Sequence, residues 1–272
     1  MTILHAFLLG VVQGLTEFIP VSSTAHLLIF SNLFGLPANE KIFAFSVIIQ
    51  LGTVVAMLAF FWKDIWLITT AFFLGIKNKK PFEDSNARLG WLVIAASIPA
   101  LIAGYLLKDA VEALFRQPML EAAIRLLTAA VLLGLAEWLS KKNRDLNSMT
   151  WFDAFIIGLM EVIAVFPGAS RSGSTIAGGM FRGFDRPSAA RFSFLMSGPI
   201  LLAAGMYQSL QVFKMTGLVD FLPLLAIGFI TAAIVGWLSI KWLIDYLSKR
   251  SLYVFAAYCA VVGVVLLIVQ LT

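Results

Sequence analysis

Charge is what this chain has least of. Only 13% of its 272 residues are Asp, Glu, Lys or Arg, against about 25% in a soluble globular domain. The single cysteine, Cys259, has no partner for an intrachain disulfide and sits in an apolar run, so it reads as helix packing. No Gly-Lys-Ser/Thr ending completes a Walker loop, so nucleotide hydrolysis is not indicated. The alternating pattern of membrane β-barrel strands is missing too. The N-terminus lacks a basic n-region, and Gln13 and Glu17 interrupt its apolar stretch, so a cleavable leader is not expected.

What remains is apolar. Hydrophobic residues make up 60% of the chain, and the mean hydropathy is +0.93. Several runs approach the roughly 20 residues that span a bilayer core. The expectation is an all-α polytopic membrane protein with spans near 43–62, 91–107, 120–139, 192–210, 223–240 and 252–271. The connections between them have ordinary loop character, and Asp153 and Asp185 are expected to be solvated at one boundary. The seven Trp and many Phe residues suit interfacial belts and lipid contact.

The net charge of +5 reads as loop cations rather than as a nucleic-acid surface. Fourteen Lys and Arg fall in one alternating set of connections: Lys63 to Arg88, Lys141 to Arg144, Arg182 to Arg191, and Lys241 to Arg250. Four fall in the other set, at Lys41, Lys108, Arg116 and Lys214. The rich set is therefore expected in the cytoplasm and both termini outside.

Two polar knots interrupt the apolar sequence. In the first, residues 13–26, Pro20 ends a helix and Ser22, Ser23 and Thr24 can cap a new short one running to about Phe34. In the second, residues 151–166 precede a break at Pro167 and a segment to about Gly179. Both describe re-entrant helix–break–helix hairpins, tolerated at membrane depth only where protein or a cavity satisfies the backbone. The chain also resembles itself. Residues 10–18 sit over 158–166, and 98–105 over 230–237. One hairpin and three crossings per half make an inverted repeat, about 1–145 and 146–272, within a single membrane domain spanning 1–272. Such repeats place a shared site at their interface.

Polar groups in hydrocarbon are costly and so mark function. Gln13 and Glu17 are four apart and share a helix face. Glu17, Ser23 and His26 together offer a base, a nucleophile and a proton donor, with Ser22 as a cap or a further hydroxyl. In the second knot, Gly168 and Gly173 permit close backbone approach, and Arg171 forks onto phosphate oxygens. Ser170, Ser172 and Thr175 add neutral donors. Gln50 and Glu161, the latter Gln13's repeat partner, could line the same cavity.

At these residues the chain resembles the BacA-type undecaprenyl-pyrophosphate phosphatases. That family shows (Glu/Gln)-x-x-x-Glu, matched by Gln13 and Glu17, then Pro-Val-Ser-Ser-Thr and a histidine, matched by Pro20 to Thr24 and His26. It also shows Pro-Gly-x-Ser-Arg-Ser-x-x-Thr, matched by Pro167, Gly168, Ser170, Arg171, Ser172 and Thr175. The resemblance implies hydrolysis of undecaprenyl diphosphate to its monophosphate, recycling the carrier for cell-wall glycans, with bacitracin resistance as a family trait. It also implies a bacterial inner-membrane site open to the outer face, and a divalent cation, Mg²⁺ or Ca²⁺, held by Glu17 with Gln13. The partners are then the isoprenyl diphosphate and membrane lipids, with no nucleic acid; homo-oligomerisation stays open.

In that reading Glu17, Ser23, His26 and Arg171 are catalytic. Ser22, Thr24, Gly168, Ser170, Ser172 and Thr175 bind phosphate beside Arg171, while Gln13, Gln50 and Glu161 support. Ser23, His26 and water all stay open as nucleophiles. A flippase or secondary transporter on the same inverted repeat is the rival.

Overall fold

The computed structural model describes residues 1–107, 117–165 and 169–271; Pro167, Gly168, Lys108 and Arg116 lie outside them. Eleven α-helices are formed among the described residues, with no strand. In order they are α1 (Ile3–Thr16), α2 (Ser23–Leu33), α3 (Glu40–Phe60), α4 (Trp62–Lys77), α5 (Ser85–Leu106), α6 (Pro118–Leu139), α7 (Trp151–Val165), α8 (Arg171–Phe181), α9 (Arg186–Val212), α10 (Leu218–Lys249) and α11 (Tyr253–Leu271).

Six of these are long and apolar enough to cross a membrane: α3, α5, α6, α9, α10 and α11. They coincide with the six expected spans. Their starts are chemically marked. The Asn39 side chain caps α3 by accepting from the Ile42 N–H at 3.1 Å, and Asp84 caps α5 by accepting from Asn86 and Ala87.

Two expectations need correction. The stretch after the first span is not loop but helix α4, which packs against α5. Its 16 residues are too few for a span and begin with the charges of Lys63 and Asp64, and Trp62, Trp66, Leu67, Phe73 and Leu74 stay exposed on it, as an interfacial helix would leave them. Asp153 is not solvated but fully buried. Its carboxylate accepts from Arg144 and from Arg182, each at 2.6 Å, and from the Thr150 hydroxyl at 2.8 Å. Counting charge by loop sees the arginines but not this pairing.

The packing sets up the site. Helix α1 lies along α10, and α7 lies along α5. Helix α3 packs on α9 and α10, and α6 on α11. Close backbone approach makes the first two contacts: a Cβ on Gly10 would stand 2.8 Å from the Gly228 carbonyl oxygen, and one on Gly158 would collide with that of Ala96. Helix α6 also touches both α2 and α8, the short helices that follow the two breaks. Phe18, in the first break, is fully buried and meets Phe194 edge-on at 5.4 Å. Its ring anchors the break in the core.

Candidate active site

The first break begins where α1 stops, at its cap residue Glu17. Glu17 is 4% exposed, so its carboxylate must find donors within the protein. It finds three. Arg171 Nη2 donates to Oε1 at 2.7 Å, Gln13 Nε2 to Oε2 at 2.9 Å, and Ser23 Oγ to Oε2 at 2.6 Å. The two knots, 154 positions apart in sequence, therefore meet at one carboxylate.

Ser22 sits at the turn into α2 with φ +70° and ψ +97°, a conformation that costs a non-glycine residue energy and tends to persist at functional sites. His26 braces it. The His26 backbone N–H donates to the Ser22 carbonyl at 3.2 Å, and Nδ1 lies 2.8 Å from the same oxygen. A carbonyl can only accept, so Nδ1 carries the proton. In the neutral ring Nε2 is then an acceptor, and the Tyr258 hydroxyl, 2.8 Å away, donates to it. Tyr258 belongs to α11 and stacks on the imidazole at 5.7 Å. Both ring nitrogens are thus engaged away from Glu17.

In the second knot, Ser170 caps α8 by accepting from the Gly173 N–H at 3.2 Å. The backbone amides at this helix start carry the positive end of its dipole. Ser172 lies beside Ser170, oxygen to oxygen 3.5 Å. Thr175 turns back into the helix, donating to the Arg171 carbonyl at 2.9 Å, and meets Ser193 of α9. It is fully buried. One guanidinium nitrogen of Arg171, Nη1, is buried and has no hydrogen-bond partner among the described residues, and the same holds for Oε2 of Glu161. Orphaned buried groups of this kind mark places where a ligand or water completes the network.

A cavity of about 200 Å³ joins these pieces, lined by Glu17, Ser22, Ser23, Thr24, Gln50, Arg125, Ala169, Ser170, Arg171 and Ser172 among others. A second, of about 940 Å³, shares Ser23, Thr24 and Gln50 with it. This larger space runs past Gln13 and Leu27 to Leu36–Phe43, Pro118–Met119 and Gln208, and is mostly apolar. A small polar chamber beside a larger and more apolar one suits an amphiphile.

Most of the expected site residues come together here. Glu17, Ser22, Ser23, Thr24, Gln50, Ser170, Arg171 and Ser172 line the small cavity, and Gln13 reaches it through Glu17. Glu161 is buried close enough to feel the charges of Arg171 and Glu17. His26 and Thr175 are not among the lining residues; they hold the backbone behind it. Gly168 lies outside the described residues.

As for a divalent cation, no three His, Cys, Asp or Glu side chains gather among the described residues. The site offers the Glu17 carboxylate, with the buried Glu161 and the Gln13 amide nearby. Hard cations such as Mg²⁺ accept one or two carboxylates when substrate phosphates supply further oxygens. The residues fit a cation shared with a phosphate ligand.

A family model described as bacitracin resistance protein BacA matches residues 6–265. The chain belongs to this family. It is 42% identical over 275 residues to an undecaprenyl-diphosphatase of Chloroherpeton thalassium, covering 98% of this chain and 96% of that one. An undecaprenyl-diphosphatase of Chlorobium phaeovibrioides is 43% identical over 283 residues, covering 100% and 98%. Undecaprenyl-diphosphatase 1 of Corynebacterium jeikeium is 42% identical over 268 residues, covering 98% and 94%.

Three participants escaped the reading of knots. Tyr258 could not be found without knowing that α11 returns to α2. Arg125 and Glu121, a buried pair on α6 with Nε to Oε1 at 2.8 Å, did leave a signal in this BacA-family chain. Of its twenty Lys and Arg, the two loop sets take all but Arg125 and Arg171. Arg125 also donates from Nη1 to the Ala169 carbonyl at 3.0 Å, so it touches the loop that presents Arg171.

Proposed function

We propose that this chain is an undecaprenyl-diphosphate phosphatase, hydrolysing the diphosphate to undecaprenyl phosphate and inorganic phosphate and so recycling the carrier for cell-wall glycan synthesis. The observation that carries this is the run Ser23–Glu17–Arg171: a hydroxyl donating to a carboxylate that also receives an arginine. A nucleophile, its base and a phosphate-gripping cation stand within hydrogen-bond reach of one another.

In the reaction, Arg171 and the amides at the start of α8 hold the terminal phosphoryl group and stabilise charge spread over its oxygens. Ser23 Oγ attacks that phosphorus as its proton passes to Glu17. The bond from phosphorus to the bridging oxygen breaks, Glu17 returns the proton to that oxygen, and undecaprenyl phosphate leaves. Water then attacks the phosphoserine, giving its proton to Glu17, and phosphate departs as Ser23 recovers a proton. His26 is a positioning residue here, fixing the Ser22 turn that aims Ser23. A divalent cation bound by Glu17 with the substrate's oxygens would screen phosphate charge, Gln13 and Glu161 lying close by.

The geometry of access supports an outward-opening site. The larger cavity ends at Leu36–Phe43, Pro118 and Gln208, beside the connections poor in Lys and Arg, which by charge bias face outside. The inverted repeat is supported by reciprocal packing. The repeat that sets Gly10 over Gly158 and residue 98 over 230 also sets Gly228 over Ala96, and these residues form the contacts Gly10–Gly228 and Gly158–Ala96. Each broken unit thus packs on a span of the other half. A flippase reading draws no support from the relatives named above, and it leaves the Ser23–Glu17 contact without a role.

Phosphate release from an isoprenyl diphosphate by purified protein with Mg²⁺ or Ca²⁺ is the test. Arg171→Ala should abolish it in folded protein, and Ser23→Ala should remove any trapped phosphoenzyme. A phosphoenzyme that maps to His26 would refute the serine step.

A further inference from the structure

Arg125 needs an explanation that the reading above does not supply. It lies within the candidate span α6 and is 7% exposed. A buried cation there is costly, so its retention asks for a ligand or a partner. Glu121 is one partner and the Ala169 carbonyl another. Its charge is balanced by Glu121, so what singles Arg125 out is its place and not a missing partner. The position is informative. Arg125 lines the small cavity with Arg171, Glu17 and Ser23, whereas Glu121, one turn earlier, lines the large one. Helix α6, which carries both, is packed against α2 and α8 together. Arg125 therefore lies on the polar chamber, one helix turn from a residue that lines the larger space.

A diphosphate lipid entering from the apolar side presents two anionic groups in sequence. The terminal one belongs with Ser23 and Arg171. The other, attached to the isoprenyl chain, falls nearer the junction of the two cavities. We propose that Arg125 is a second anion-binding residue of this site, holding the phosphate that stays on the lipid, with Glu121 as the positioning residue for its guanidinium. This rests on the diphosphatase reading.

The test measures equilibrium binding of a non-hydrolysable isoprenyl methylene-diphosphonate, and separately of inorganic phosphate, to purified protein in detergent. Arg125→Gln removes the charge and leaves a shorter, neutral amide donor. It should bind the diphosphonate about tenfold or more weakly, as loss of a hydrogen bond to a charged group implies, while inorganic phosphate binding changes little. In turnover most of the loss should fall on KM. The double variant Glu121→Gln/Arg125→Gln leaves no orphaned charge to unfold the protein, and it should show the same selective loss. Arg125→Lys should retain more affinity than either. Diphosphonate affinity within twofold of wild type in the folded double variant would overturn the proposal, since a loop fastener predicts that result. Equal weakening of both ligands would overturn it too. Wild-type protein that binds the diphosphonate yet releases no phosphate from the diphosphate would count against the diphosphatase reading, leaving the Arg125 comparison readable.

Discussion

Replacing Glu17 by Gln should make this protein hold phosphate more tightly while turning over far more slowly. Arg171 Nη2 gives its N–H to Glu17 Oε1 at 2.7 Å, and although Nη1 is open, a phosphoryl group gripped by both prongs of the fork has to win Nη2 from the carboxylate. A charged hydrogen bond of this kind contributes about 1.5–3 kcal/mol net. With a neutral amide the competition largely disappears, so affinity for inorganic phosphate should rise about tenfold to a hundredfold. The empty variant should suffer, because removing one partner of a buried ion pair costs about 3–5 kcal/mol, and added phosphate should return much of that stability. Turnover should fall about 10²- to 10⁴-fold, the range for losing a general base. The assay is calorimetric or thermal-shift titration with phosphate in chelated detergent buffer, beside single-turnover phosphate release. Phosphate affinity that is unchanged or weaker in folded Glu17→Gln protein would refute the idea that Arg171 is shared between Glu17 and substrate.

Tyr258→Phe removes the donor to His26 Nε2 but keeps the stacked ring; one neutral hydrogen bond of about 0.5–1.5 kcal/mol predicts a roughly two- to tenfold loss in kcat, and no loss would deny His26 a positioning role. Gly158→Leu has to push α7 off Ala96, which should lower stability by about 1–3 kcal/mol or more, read as a lower Tm in detergent; an unchanged Tm would contradict the close approach. Chelating divalent cations should raise KM steeply, with Mg²⁺ or Ca²⁺ restoring it; turnover indifferent to chelator would remove the cation from the site.

How far the sequence could be read follows from where each signal is stored. The six spans are written locally, as runs of apolar residues, and they appear where composition places them. Glu17, Ser23 and Arg171 were legible because polarity inside such runs is conspicuous. Helix α4 was not, because its 16 residues fall short of a span and Lys63, Asp64 and Lys77 at its ends merge it with the charged connection. Asp153 and Tyr258 depend on long-range contacts, to Arg182 and His26 respectively, that no local pattern encodes. Arg125 was legible but unclaimed: once the loops had taken their cations, it stood with Arg171 as a charge without an address.

The charges at the site explain why two arginines alone do not complete it. Arg171 faces Glu17, and Arg125 faces Glu121, so each cation is already matched by a carboxylate, and Glu161 lies buried beside them. A diphosphate brings more than one further negative charge into the same low-dielectric space. Arg171 Nη1 is open to a phosphate oxygen, but a two-pronged grip also takes Nη2 from Glu17, and the carboxylate so released is then drawn toward the nearest proton, that of Ser23, already donated to it at 2.6 Å. Binding the anion and freeing the base are, on this geometry, a single displacement. That coupling lets the pair rest neutral in an apolar surrounding and become reactive only when a phosphate has taken the arginine. On the proposed reaction, the charge that Arg171 no longer balances on Glu17 is what a divalent cation there would screen.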